Sequence, residues 1–170
     1  MKKTLILIGV IVVLFAAVSG GVCGELGSPT DQIVLKAVVH SAAQGLSAVA
    51  VNKGGTYNAN MIRQYVNAAR FFEDETGYFF VYDYMTNVNI AHAILKDFPG
   101  QDKTQYQDSR GMYVIQALSK IAKSTTGRGF LIYYWNNPET KKEEKKLGYV
   151  EVIPGTSLYI GSGIYTHSND

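Results

Sequence analysis

The sequence is poor in the residues that build reactive centres. Its 170 residues include one cysteine, Cys23, one tryptophan, four prolines and three histidines, His40, His92 and His167. A single cysteine excludes an intramolecular disulfide, so the core has to hold the fold. The histidines stand far apart, without a His-x-x-x-His or comparable ligand spacing. There is no Gly-x-Ser-x-Gly elbow, no glycine-rich phosphate loop and no paired-cysteine motif. The expectation is a chain that is not an enzyme and that carries no metal and no cofactor. Charge is also sparse: charged residues make up 18% of the chain, and the net charge is +2. Without Lys2 and Lys3, basic and acidic residues are equal in number, a balance that excludes nucleic acid as a partner.

Those two lysines open the one long apolar run. Residues 5–18 are uninterruptedly apolar and are followed by the small residues Ser19, Gly20 and Gly21, which is the order of a secretory signal. Fourteen residues fall short of the roughly 20 that span a bilayer. Extension through Val22 comes close, so residues 1–23 read as a signal peptide or an N-terminal anchor. The expected location is therefore outside the cytoplasm, periplasmic or extracellular, with residues 4–22 as a tether if uncleaved. Cys23 sits where a lipoprotein signal places its modified residue, but Gly20, Gly21 and Val22 do not match the Leu-small-small pattern expected before it.

The remainder has the composition of one globular domain, 46% hydrophobic, with 12 tyrosines that suit half-buried strands and pockets. The spacing of Leu35, Val38, Val39, Ala42, Leu46 and Val49 predicts a long helix over 31–51, capped by Thr30 and stopped by Gly54 and Gly55. A second helix is predicted from the Asn58 cap, with Ile62, Tyr65, Val66, Ala69 and Phe72 as its stripe. Residues 78–84, aromatic and β-branched, read as a strand, and 89–92 as a short second one. A polar loop from Asp97 leads to a third helix, capped by Asp108 or Ser109. Strands are predicted at 129–136, 147–153 and 158–165, separated by a charged loop at 139–146 and a Pro154-Gly155 turn. Hairpin-like connections imply an α+β fold on a five-stranded antiparallel sheet.

Seven segments resemble the single Cache domain in order and spacing. They are Gly77-Tyr78-Phe79-Phe80-Val81-Tyr82-Asp83, Ile90-Ala91-His92, Pro99-Gly100, Asp108 with Gly111, Gly129-Phe130 with Tyr133 to Trp135, Lys146-Leu147-Gly148-Tyr149-Val150, and Ile160-Gly161-Ser162-Gly163-Ile164-Tyr165. The match runs over 32–165, giving a sensor domain at 30–165 and a tail at 166–170. The resemblance implies a PAS-like sheet, a long N-terminal helix and a loop-helix insertion, with a pocket between sheet and insertion that senses a small carboxylate or related metabolite. Because the sequence ends five residues after its last strand, any signal output is expected to pass through a partner, a membrane-bound one among the possibilities, or there is none. Ala93, where the family has proline, and Leu158, where it has tryptophan, depart from the pattern and leave the ligand open.

A buried carboxylate needs a cation or several converging donors. Arg110 at a helix start and Lys146 at a strand start are the candidate cations, and His92 is a candidate donor. Tyr82, Tyr133, Tyr134, Trp135 and Tyr149 are the candidate walls and neutral donors, although alternation puts Tyr133 with Trp135 on one face and Tyr134 on the other. Asp83 is expected to serve the turn before Asn87. The competing readings are a structural or partner-binding protein that keeps the fold without a ligand, and a solute-binding component. Ala42, Ala43, Gly45 and Ala48 would let the first helix pack closely in a homodimer.

Overall fold

A computed structural model describes residues 28–72 and 74–165 of the chain; the signal or anchor segment and the tail lie outside them. The element order is α1 (Pro29–Ala50), α2 (Ala59–Ala68), β1 (Phe80–Asp83), β2 (Asn89–His92), α3 (Val114–Ala122), β3 (Arg128–Asn136), β4 (Glu143–Val152) and β5 (Leu158–Tyr165). The strands form one antiparallel sheet in the order β2-β1-β5-β4-β3. This is the α+β, PAS-like arrangement expected from the sequence.

Alternation along each strand divides the core in two. Phe79, Val81, Leu147, Tyr149, Leu158 and Ile160 face α1 and α2, where they meet Leu35, Val39, Leu46, Ile62 and Val66. Phe80, Tyr82, Tyr133, Trp135, Val150 and Tyr159 face α3 and the segment before it, meeting Ile115, Leu118 and Phe98. By length and composition α1 would also pass for a membrane span. Here its Leu35, Val39 and Leu46 stripe is packed on the sheet, while Ile33 and Val49 point outward, 67% and 64% exposed.

Several element ends differ from expectation for identifiable reasons. Ser28, not Thr30, caps α1: its hydroxyl accepts from the Asp31 amide, and the Asp31 carboxylate accepts from the Ser28 amide, both at 3.1 Å. The helix ends at Ala50, ahead of Gly54-Gly55, because Val51 is extended and bridges to Tyr57. Asn58 caps α2 as predicted, but the helix stops at Ala68, so Ala69 and Phe72 lie beyond it. Neither Asp108 nor Ser109 caps α3. Gly111, at φ 79°, turns the chain first, and α3 starts at Val114 without a side-chain cap. Half of the charged segment is strand: β4 begins at Glu143, since β3 extends to Asn136 and offers partners up to that point.

Both sheet edges are partly covered, which limits open pairing. Along β2, the Asn89 amide donates to the Gln101 carbonyl at 3.0 Å and Gly100 donates back to Asn89 at 2.7 Å. At the β3 edge the buried Asp108 carboxylate accepts the Tyr134 amide at 3.0 Å, while its other oxygen accepts from Arg110 and Met112. Asp83 serves its turn as expected, accepting from the Met85 and Thr86 amides.

The glycines of the last two strands are spatial requirements. A Cβ on Gly161 would stand 2.6 Å from the Phe80 ring and 2.7 Å from Val150. Gly161→Ala is therefore expected to lower unfolding stability by about 1–3 kcal/mol, read as a lower urea midpoint at unchanged slope.

Candidate functional site

On the α3 side of the sheet, Phe80 and Tyr82 from β1, His92 from β2, Tyr133 and Trp135 from β3, Lys146 from β4, and Ile115 and Leu118 from α3 surround a small internal cavity. Its free space is that of about one water molecule. Five sequence candidates, Tyr82, His92, Tyr133, Trp135 and Lys146, thus converge from four strands. Arg110 does not join them. It is exposed, with its guanidinium 4.9 Å from the Tyr134 ring centroid, and Tyr134 is on the other face from Tyr133. Tyr149 faces α1 and packs on Phe130, ring centroids 4.7 Å apart.

The cavity floor is cleared by glycine. A Cβ on Gly148 would meet the Tyr133 ring at 2.6 Å, and one on Gly163 would meet Lys146 Cε at 2.5 Å. With Gly161 beneath Phe80, three positions without side chains lie under three cavity-lining side chains.

Lys146 is 1% exposed. Its ammonium donates to the Tyr78 hydroxyl at 2.7 Å and to the Tyr165 hydroxyl at 3.5 Å, and it lies 4.2 and 4.6 Å from the centroids of those rings. The Tyr165 hydroxyl in turn donates to the Asn136 carbonyl at 2.8 Å. Among the described residues no carboxylate lies within 4 Å of this ammonium. Two of its three N–H groups are thus accounted for, and the charge is met only by hydroxyls and ring faces. Burial lowers the lysine pKa, while Tyr78 opposes that shift.

His92 is fixed by its backbone. Its Nδ1 accepts from the amides of Ile94 and Leu95 at 3.2 and 3.1 Å, so Nε2 carries the proton of the neutral ring. The ring lies nearly parallel to Phe80 and Trp135, centroids 6.1 and 6.2 Å away. Burial first, and then the charges of Lys146 and Lys96, push its pKa down to about 3. The site therefore holds one aliphatic ammonium and a neutral imidazole donor against aromatic walls, a set suited to one small anion with an apolar body.

Tyr78 and Tyr165 were not singled out in the sequence. For Tyr165 the signal was cross-strand pairing, since it stands opposite Lys146 in the β4–β5 register. Asp108 holds the insertion to the sheet edge and does not line the cavity. Among the described residues no cluster of three His, Cys, Asp or Glu side chains is placed to hold a metal ion.

The sequence profile of the family described as Cache domain matches residues 56–170. The sensor histidine kinase MctS of Rhizobium johnstonii is 36% identical over 89 residues, 52% of this chain and 19% of that protein. The present chain thus spans about a fifth of the length of that curated relative. A methyl-accepting chemotaxis protein from Vibrio parahaemolyticus superposes with a TM-score of 0.69 at 29% identity, covering 83% of this chain and 92% of that one. A Cache chemosensory domain studied for carboxylic acid recognition shares the fold, with a TM-score of 0.63 at 24% identity over 81% of this chain and 92% of its own.

The low pKa of His92 has a defined sign. Between its ordinary value of 6.5 and about 3, the unfolded chain binds a proton at this ring that the folded chain does not. This histidine thus makes stability fall as pH drops through that window, by at most about 1.4 kcal/mol per pH unit. Urea unfolding from pH 7 to 4 is expected to show a shallower loss for His92→Gln than for the wild type.

Proposed function

The chain belongs to the Cache domain family, and on that premise we propose that it is an extracytoplasmic sensor domain that binds a small organic anion, a carboxylate, beside Lys146. The observation that supports this reading is the buried ammonium with no carboxylate partner among the described residues. A desolvated charge is costly unless paired, and the third N–H of Lys146, next to a neutral His92 donor, suits one carboxylate. Tyr78 and Tyr165 hold the ammonium in place, and Tyr82, Tyr133 and Trp135 supply the wall for a short apolar body. In this reading the cavity closes on the ligand when the insertion before α3 moves, because its free space is small.

Occupancy would reach α1 through β4. Lys146 lies on one face of that strand; on the other, Leu147 and Tyr149 pack in the α1 core, and the Glu151 carboxylate accepts from or pairs with His40 Nδ1 at 2.8 Å. The outward face of α1, with Ile33 and Val49 exposed, suits a second copy of the chain, and a membrane-bound signalling partner would take the output. Residues 1–23 would export the chain, or anchor it, on the outer side of the membrane.

Calorimetric titration of the intact protein with acetate, propionate and butyrate is expected to give saturable binding by at least one of them. Lys146→Gln is expected to weaken it at least about 100-fold, the loss of one desolvated charge pair, whereas Arg110→Ala changes it less than about twofold. No binding by small carboxylates, or binding indifferent to Lys146→Gln, would remove this reading.

A further inference from the structure

Beside the cavity lies a row of buried polar groups that the carboxylate reading leaves unexplained, and one of them, Tyr82, lines it. Asn89 of β2, Tyr82 of β1 and Tyr159 of β5 stand directly opposite one another in the ladder, Asn89 against Tyr82 and Tyr82 against Tyr159. The three form a row across adjacent strands, each 0–1% exposed. The Tyr82 and Tyr159 rings stack with centroids 5.9 Å apart. Among the described residues, both hydroxyls and the Asn89 Oδ1 are buried without a hydrogen-bond partner.

The Asn89 amide nitrogen is committed to the Val81 and Ala91 carbonyls, which aims its oxygen as a lone acceptor. The Ser119 hydroxyl, beside Tyr159, donates to Asn87 at 2.7 Å. Asn89 is near enough to affect the Tyr82 hydroxyl yet outside bonding geometry. Phenol donors and an amide acceptor separated in this way are bridged by a group that both accepts and donates, and an orphaned buried polar group calls for such an explanation. Tyr82 also lines the cavity that Lys146 lines.

We propose that the cavity takes a short carboxylate bearing a hydroxyl remote from its carboxyl group, with the carboxylate at Lys146 and the hydroxyl among Tyr82, Asn89 and Tyr159. This inference rests on the Lys146 reading and adds the ligand's second functional group. A site with unpaired polar groups discriminates against an analogue that lacks the matching hydroxyl, which leaves those groups buried and unsatisfied.

The test is titration of the intact protein with butyrate, 3-hydroxybutyrate and 4-hydroxybutyrate, for wild type, Tyr82→Phe and Tyr159→Phe. At least one hydroxy acid is expected to bind about tenfold or more tighter than butyrate. That ratio is expected to fall toward one in Tyr82→Phe. The melting temperature of the unliganded Tyr82→Phe protein is expected to hold or rise, since an unpaired hydroxyl is removed, which separates a ligand role from a structural one. If Tyr82→Phe does not fold, Tyr159→Phe reads the same ratio. Butyrate binding as tightly as both hydroxy acids, or a preference that survives both substitutions, overturns the inference while leaving the Lys146 site standing. If none of the three binds, or binding ignores Lys146→Gln, the carboxylate reading fails and this inference fails with it.

Discussion

An ammonium held in a nearly closed aromatic interior is the constraint around which this domain is arranged. Its desolvation is offset only in part by two tyrosine hydroxyls and the faces of their rings. The same charge helps to keep His92 neutral, and the Ile94 and Leu95 amides, which donate to Nδ1, leave Nε2 as the ring's donor. Neighbouring groups thus complement one positive charge and do not add a second. The apolar floor and walls leave that charge beside a space of about one water molecule.

The sheet places that charge where a change can be felt elsewhere. β4 is an interior strand, paired with β3 on one side and β5 on the other, so a shift in Lys146 is shared with both neighbours. Its opposite face bears the residues that pack on α1, and Glu151 ties the strand to His40 on that helix. The Asp108 carboxylate fastens the insertion to the outer strand, and the Gln101 segment fastens it to β2. The insertion is therefore pinned to the sheet at both of its ends.

Much of this was legible in the residues. Period-two patterning separated Tyr133 and Trp135 from Tyr134, and the apolar spacing from Leu35 to Val49 announced α1. What misled was local context. Lys146 ends a run of charged residues that reads as a solvated loop, and only the pairing of β3 with β4 as far as Glu143 carries it inside. Arg110 has the chemistry of an anion ligand, but Gly111 turns the chain before α3, so the arginine never reaches a helix start. Tyr149 looks like Tyr133 in composition, and it is parity on the strand that sends it to the α1 side. Tyr78 and Tyr165 could not be chosen from single segments, because their role depends on a pairing between distant stretches of chain.

Gly148, Gly161 and Gly163 carry no functional group, yet each lies under a side chain that shapes the cavity. The lysine can extend only because the strand beside it is bare at Gly163. Any lineage that alters that glycine must shorten or relocate its cation at the same step, and must also move the Leu147 carbonyl, which a Cβ there would meet at 2.8 Å. The shape of the cavity is thus written twice, once in the side chains that line it and once in the bare positions beneath them.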